Sequence, residues 1–370
     1  ERFREGLNAP GGLGGFLAAS LFAYPYQLDW DLDFEQVPRQ FRVAFFQLLI
    51  AAPKAFQGQA EAGQHARFLG QLVETLEQKL SDPNAAPDWI KCIQVFLEEA
   101  NLRPLYFSSA DLSGIFQRRG RLAQYFLGSL KYPLAWEPPV YDNQRKMRIG
   151  ILLRALTPTT EVFASLPVIA GLDPGRFELC TYVIEADGNQ LESEMRSKAA
   201  VFRVIGENIA AAVQTIRRDQ LDLLFFGNNL TGVSNMPFYL AQFRLARKQF
   251  VHFCQPLSTG LSRIDAFLIG AHTETPEAEK RYSERLLKIK GSGIVFIPPN
   301  VEVSTKLGNL RQRLGLAEDS VILASGANCF KISAELQEFW VKLMQKNPQT
   351  VLILYPYGPA WSSSYPKEAF

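Results

Sequence analysis

The feature that most constrains the fold is a regular alternation of short apolar runs with helical segments after residue 147. Six runs rich in β-branched or aromatic residues predict strands: 148–153, 178–184, 202–205, 221–226, 249–253 and 266–269. Four segments carry apolar residues at helical spacing: 161–170, 209–218, 238–245 and 277–286. Strands that alternate with helices predict a parallel, doubly wound sheet and therefore the α/β fold class.

Residues 1–140, which precede this alternation, predict an all-α helical domain. Apolar residues recur at helical spacing in four stretches: 34–52, 67–80, 89–101 and 112–130. Prolines separate these stretches. Helix pairs at this spacing suit either the end of a helical-repeat array or a compact helical bundle, and no repeat consensus decides between the two.

Two proline pairs mark the domain boundaries. Pro138-Pro139 and the polar residues 142–146 predict a linker, and Pro298-Pro299 predicts a second boundary. The remaining residues predict a helix near 307–314 and then one strand–helix–strand unit, which is too small to bury both faces of a sheet. We therefore expect a second doubly wound domain to begin here and to be incomplete in this chain. The expected domains are 1–140, 145–299 and 300–370.

Composition narrows the classes of partner. Lys plus Arg number 39 and Asp plus Glu 37, so the net charge of +2 gives no reason to expect nucleic acid or an anionic membrane. The uncharged stretch 6–28 is interrupted by Pro10 and Pro25 and is not expected to span a membrane. The four cysteines and three histidines show neither Cys-x-x-Cys nor metal-ligand spacing. We expect a cytoplasmic protein without a bound metal.

A lysine follows the apolar run 321–324. The segment Ser-Gly-Ala-Asn-Cys-Phe-Lys-Ile at 325–332 ends the run, and Ser333 opens a helix. Ligands of open α/β sheets bind at the carboxyl ends of strands, and helix N-termini favour anions. Lys331 is therefore a candidate phosphate ligand, and the alternative is a solvated surface lysine.

Four segments occur in a fixed order along the second part of the chain. They are Arg-Ile-Gly at 148–150, Pro-Leu-Ser-Thr-Gly at 256–260, Tyr-Ser-Glu-Arg-Leu at 282–286 and Asn-Cys-Phe-Lys-Ile at 328–332. In sequence and order they resemble the catalytic region of the O-GlcNAc transferase/SPINDLY family, which includes the bacterial protein N-glucosyltransferases. The resemblance covers residues 145–370, and motifs in a shared order are more specific than any one of them.

This resemblance implies a GT-B core, in which two Rossmann-like domains face each other across a cleft, and inverting transfer of a sugar from a nucleotide sugar to a protein side chain. Lys331 matches the family lysine that contacts the donor diphosphate. Asn328 and the loop of Ser258, Thr259 and Gly260 match positions that line the donor cleft. UDP-GlcNAc is the expected donor, and UDP-glucose and GDP-fucose are used by relatives.

The catalytic base is the point at which the chain departs from the family. Many members carry two histidines after the first strand, where this chain has Thr157 and Glu161. Glu161 is a candidate base, although a glutamate in a first helical turn also favours the positive end of the helix. His252 is the second candidate, with a structural histidine as the alternative. No Asp-x-Asp motif occurs after residue 145, which argues against a divalent-metal mechanism.

Two other functions remain open. Loss of the family histidine also suits a catalytically inactive scaffold or binding protein. A third class is an enzyme that acts on small glycans, with a purely structural helical domain. If the protein is the glycosyltransferase that the resemblance implies, the helical domain and the cleft bind an acceptor protein or peptide.

Overall fold

The computed structural model describes residues 12–28, 34, 37–54, 56, 58, 60–80, 87–295, 310–327 and 331–355. Its residues form two compact units, one drawn from 1–52 and 66–298 and the other from 53–65 and 299–370. Within the described ranges no helix is long and apolar enough to cross a bilayer. The division into three domains stays a prediction.

Five helices precede the sheet in the described part of residues 1–140. They are α1 (Gly12–Ala19), α2 (Arg42–Leu49), α3 (Glu61–Leu80), α4 (Pro87–Glu99) and α5 (Ser113–Ser129). Short 3-10 turns occur at Pro25–Gln27, Arg39–Phe41 and Arg103–Phe107. Helix α2 packs against α4, and α4 packs against α5. Phe46, Cys92 and Leu122 are fully buried in this core, and the predicted helical N-terminal region is confirmed.

A seven-stranded parallel sheet lies within residues 147–289, all of which the structure describes. Its strands are β1 (Met147–Leu153), β2 (Phe177–Val183), β3 (Val201–Val204), β4 (Leu221–Phe226), β5 (Ala246–His252), β6 (Ala266–Gly270) and β7 (Arg285–Ile289). They are arranged in the order β3-β2-β1-β4-β5-β6-β7. Ile149 of β1 pairs with Leu179 of β2 on one side and with Leu223 of β4 on the other. The predicted parallel α/β sheet is confirmed.

The helices between these strands start at polar caps. They are α6 (Thr160–Ala170), α7 (Gln190–Lys198), α8 (Ile209–Arg218), α9 (Met236–Leu240) and α10 (Pro276–Glu279). The residue before each helix accepts a hydrogen bond from the backbone N–H three positions later; the caps are Thr159, Asn189, Asn208, Asn235 and Thr275. Such caps satisfy one of the backbone donors left free at a helix N-terminus.

The predicted helix at 277–286 is wrong. The chain forms only the single turn of α10 and then enters β7, which pairs in parallel with β6 from Ala266–Arg285 to Gly270–Ile289. Tyr282 lies edge-on against the ring of Phe267, with centroids 5.1 Å apart. Pairing with the free edge of β6 satisfies the backbone groups that a helix would have satisfied locally, so tertiary structure overrides the local periodicity. The helix predicted at 238–245 also ends early, at Leu240.

The strand order places a topological switch between β1 and β4. The strands on one side of this point are added in the order β1, β2, β3, and those on the other side are β4 to β7. Ligands of open α/β sheets bind in the crevice outside the carboxyl ends of strands at such a point. The loops that follow β1, β4 and β5 are therefore the first place to look for a site.

The second unit contains two strands, β8 (Val321–Ser325) and β9 (Thr350–Leu354), which form a parallel pair. After residue 299 its described residues form two helices, α11 (Leu310–Arg313) and α12 (Ala334–Lys346). Ser333 caps α12, since its hydroxyl accepts from the Leu336 N–H at 3.3 Å. The predicted strand, helix and strand at the end of the chain are thus present.

Candidate functional site

Glu161 lies in the first turn of α6, and its carboxylate faces the loop after β4. Asn228 donates from Nδ2 to one carboxylate oxygen at 2.6 Å, and the Asn229 N–H donates to the other at 3.3 Å. The Asn228 side-chain oxygen accepts from the Arg154 N–H at 2.6 Å. One amide therefore ties the loop after β1 to α6. Both oxygens of Glu161 already accept hydrogen bonds, and its role as a base stays a prediction.

His252 ends β5 and is buried, with 4% of its surface exposed. Its Nε2 lies 3.3 Å from the Ser165 hydroxyl of α6, and its ring packs against Phe225 and Phe253. Burial lowers the pKa of His252 from 6.5 to about 4. The side chain is therefore neutral at neutral pH and held by structural contacts. Its role as a base stays a prediction.

The loop of Ser258, Thr259 and Gly260 is fixed by a buried carboxylate, that of Glu284. The Ser258 hydroxyl donates to one Glu284 oxygen at 2.7 Å. The Thr259 N–H donates to the other at 2.8 Å, and the Thr259 hydroxyl also donates to it. Buried carboxylates are tolerated when their oxygens are hydrogen-bonded in this way. The two hydroxyl side chains therefore point towards Glu284, and a role in lining the donor site stays a prediction for this loop.

Helix α5 of the helical region lies directly on the same loop. Gly260 adopts a φ of +70°, and the Gly260 carbonyl oxygen is 3.1 Å from the place that a Cβ on Gly120 would occupy. A glycine at each position permits this approach of two backbones. The helical region is therefore built onto the carboxyl edge of the sheet.

A second contact between the helical region and the sheet involves Tyr106. Its hydroxyl lies 2.7 Å from the hydroxyl of Thr231 in the loop after β4. The Asn229 side-chain oxygen accepts from the N–H groups of Thr231 and Gly232, at 2.7 and 3.1 Å. Burial raises the pKa of the Tyr106 phenol, so it stays protonated and able to donate.

A cavity of about 220 Å³ opens at this junction. The helical region contributes Tyr106, Asp111 and Phe116, among others, and the loops after β5 and β6 contribute Ser258, Glu274 and Tyr282. The Tyr282 hydroxyl donates to Glu274 at 2.9 Å. The Ser113 N–H donates to Asp111 and holds the pKa of that carboxyl below its usual range. The lining combines aromatic rings with hydrogen-bonding groups, as in many sites for organic ligands.

The predicted phosphate ligand Lys331 belongs to the second unit. It is exposed and lies after β8, two residues before Ser333. Asn328 lies outside the described residues. The described part of the chain contains no group of three or more His, Cys, Asp or Glu side chains arranged to hold a metal ion.

Sequence reasoning missed two residues that organise this edge. Glu284 was visible within the Tyr-Ser-Glu-Arg-Leu motif, but its contact with Thr259 spans 25 positions. Nothing in the sequence indicated that Arg119 is buried, because a basic residue on an amphipathic helix is ordinarily solvated. In the structure Arg119 is buried.

Strand order and edge loops define an α/β protein with a Rossmann-type sheet, onto which a helical region is packed. No family model matches the chain. Its structure is similar to that of a point mutant of the O-GlcNAc transferase from Thermobaculum terrenum, with a TM-score of 0.56 and 18% identity. The match covers 96% of this chain and 64% of that one.

Two curated relatives are named SPINDLY and described as probable UDP-N-acetylglucosamine–peptide N-acetylglucosaminyltransferases. The protein from Solanum lycopersicum is 24% identical over 225 residues, which are 58% of this chain and 23% of the relative. The protein from Oryza sativa subsp. japonica is 21% identical over 277 residues, 71% of this chain and 29% of the relative. The chain thus spans about a quarter of the length of these relatives. The resemblance to the O-GlcNAc transferase/SPINDLY family is confirmed.

Proposed function

We propose that the protein transfers a sugar, in the first place GlcNAc, from a nucleotide diphosphate to a protein side chain with inversion and without a metal. The observation that carries this proposal is the extent of the structural likeness, 96% of the chain, to an O-GlcNAc transferase. The four motifs in shared order support it. So do the names of both curated relatives, which state a UDP-GlcNAc donor and a peptide acceptor.

In the proposed reaction the bond between the sugar and the donor diphosphate breaks as a bond between the sugar and the acceptor side chain forms. Lys331 stabilises the charge that develops on the departing diphosphate, as a compact cation can without a metal. Asn328 and the loop of Ser258, Thr259 and Gly260 line the donor site. A base removes the proton of the acceptor, and Glu161 and His252 are the two candidates.

The cavity beside Tyr106 is the proposed entry for the acceptor polypeptide. It receives side chains from both the helical region and the loops at the carboxyl edge of the sheet. Tyr282 and Phe116 offer apolar contact area, while Ser258 and Glu274 offer hydrogen-bonding groups. Such a lining suits a polar peptide segment better than an apolar small molecule.

We place the protein in the cytoplasm, without nucleic acid or membrane partners.

The test is nucleotide binding and peptide glycosylation by the full-length protein and its Lys331→Ala variant. UDP and UDP-GlcNAc should raise the melting temperature of the wild type, with UDP-glucose, GDP and GDP-fucose as comparisons. A nucleotide at 100 times its dissociation constant adds about 2.7 kcal/mol of stability. Lys331→Ala should reduce this shift and slow transfer.

Lys342→Ala is the matched control, because Lys342 is also exposed and pairs with Glu338 on the surface of α12. It should bind nucleotide and transfer sugar as the wild type does. Equal effects of the two lysine variants would contradict the proposed role of Lys331.

A non-catalytic scaffold is the second candidate, and three observations favour it. Thr157 replaces the family histidine, both oxygens of Glu161 are occupied, and His252 is buried. This candidate predicts that a nucleotide stabilises the protein but that no sugar reaches any peptide. Detection of transfer by mass spectrometry would exclude it.

A further inference from the structure

We propose that Arg119 of α5 is a positioning residue, through which the helical region holds the loop after β4 in the geometry needed for transfer. This proposal rests on the proposed function. Arg119 lies 111 positions before Leu230, the first residue of that loop to which it donates.

Arg119 is a buried cation that is held by backbone oxygens. Only 2% of it is exposed. The guanidinium donates from one nitrogen to the carbonyl oxygens of Leu230 at 2.9 Å and Thr231 at 3.4 Å, and from another to the Ser234 hydroxyl at 3.0 Å. Its central carbon lies 3.9 Å from the centre of the Phe238 ring. A buried charge is costly unless it is hydrogen-bonded, so this arrangement ties the guanidinium to one loop geometry.

Arg119 remains a cation in this environment. Burial lowers its pKa from 12.5 to about 10, which still leaves the side chain protonated at neutral pH. The partners in contact with it are carbonyls, a hydroxyl and an aromatic ring, all neutral. Its charge therefore acts on the loop through hydrogen bonds to neutral groups, while its face contacts the Phe238 ring of α9.

The same loop is also hydrogen-bonded by Gln255, which follows β5. The Leu230 N–H donates to the Gln255 side-chain oxygen at 2.7 Å, and the Gln255 amide donates to the Asn228 carbonyl at 2.6 Å. Leu230 is thus bonded at its carbonyl by Arg119 and at its N–H by Gln255. The two contacts together fix the backbone between Asn228 and Thr231.

The same backbone positions the groups around Glu161. Asn228 and Asn229 contact the two oxygens of its carboxylate, and Arg119 holds the two residues that follow. Loss of the guanidinium leaves the carbonyls of Leu230 and Thr231 without their donor. We therefore expect the orientation of Asn228 and Asn229 to relax. Binding of the nucleotide, assigned to Lys331, should be unaffected.

The experiment compares Arg119→Met and Arg119→Lys with Arg118→Met in the full-length protein. Arg118 is the adjacent residue on the same helix, but it pairs with Glu74 and Glu77 and is partly exposed. For Arg119→Met we expect kcat for peptide glycosylation to fall by about tenfold to a hundredfold, since small misplacements of reacting groups have effects of this size. The dissociation constant of UDP should stay within about twofold of the wild type, and Arg118→Met should retain kcat.

Two readouts separate positioning from a general loss of stability. Millimolar guanidinium chloride should restore part of kcat in Arg119→Met but not in Lys331→Ala. Arg119→Lys should retain more activity than Arg119→Met, because an ammonium can still donate to the Leu230 carbonyl. If Arg119→Met does not fold, Ser234→Ala is used instead. It removes one partner of the guanidinium and should lower kcat by less than the fall expected for Arg119→Met.

If the wild type transfers no sugar, the proposed function is wrong. Hydrogen exchange then still tests whether Arg119 holds the loop after β4. The amides of residues 229–232 should exchange faster in Arg119→Met than in the wild type, while those of 259–261 should not change. The inference is overturned if folded Arg119→Met keeps its kcat or if its UDP affinity falls in proportion to its kcat. It is also overturned if hydrogen exchange in residues 229–232 is unchanged.

Discussion

Gly260 and Phe116 are in such close contact that a Cβ on Gly260 would lie 2.4 Å from the Phe116 carbonyl carbon. The contact joins the loop after β5 to α5. No side chain fits between these two backbones, and the φ of +70° at Gly260 adds a conformational penalty for any other residue.

Gly260→Ala should therefore destabilise the protein by about 2–4 kcal/mol, more than backbone strain alone. Gly188→Ala is the matched control, because Gly188 has a similar φ of +68° but no atom within 4 Å of its Cβ position. The control should cost only about 1 kcal/mol. Chemical denaturation of both variants measures the difference in the free energy of unfolding. Equal decreases in the two variants would show that the close contact with Phe116 does not add to the cost of the substitution.

Glu284→Gln should destabilise the protein by about 1–3 kcal/mol, because a neutral amide replaces a carboxylate that accepts charge-assisted bonds from Ser258 and Thr259. Glu277→Gln, on the exposed surface of α10, is the control and should change stability by less than about 0.5 kcal/mol. Thermal and urea unfolding measure both. A Glu284→Gln protein as stable as the wild type would mean that the loop is held by packing alone.

Acidification should weaken the fold through His252. Its pKa is about 4 in the folded protein and about 6.5 when unfolded, so the unfolded state binds more protons between these values. The His252 contribution is complete above pH 6.5 and is lost as the pH falls towards 4, by on the order of 2–3 kcal/mol. Urea unfolding at a series of pH values measures this loss.

The control for this prediction is His252→Asn, which should have a shallower decline of stability between pH 6.5 and 4. Part of the decline should persist in the variant, because burial also lowers the pKa of His65 to about 4. If the wild type and the variant have parallel pH profiles, His252 does not titrate as its burial indicates.

Glu161→Gln tests which of two roles Glu161 has. As a general base its loss should lower kcat by about a hundredfold or more and remove one limb of the pH–rate profile. As a structural acceptor it should tolerate glutamine, whose oxygen still accepts from Asn228, and kcat should fall by less than about tenfold. Steady-state kinetics on a peptide acceptor distinguish the two, with the exposed Glu185→Gln as the unaffected control.

The spacing of apolar residues was enough to predict most of the elements. The strands predicted at 148–153 and 221–226 lie where the apolar runs are, and α6 and α8 begin directly after their caps Thr159 and Asn208. These signals are local, since a run of apolar residues or a capping side chain acts within one turn or one strand. The motif order likewise indicated the family.

Other features depend on tertiary contacts and cannot be predicted from local sequence patterns. Residues 285–289 became a strand because the edge of β6 was available to pair with them. Glu284 and Arg119 became buried because Thr259 and Leu230, distant in the chain, supply their hydrogen-bond partners. Such partners are brought together by packing of the helical region onto the sheet, and a charged residue shows no sign of its burial until that packing is known. The sequence by itself thus determined the elements and the family resemblance, whereas long-range packing determined which polar side chains build the site.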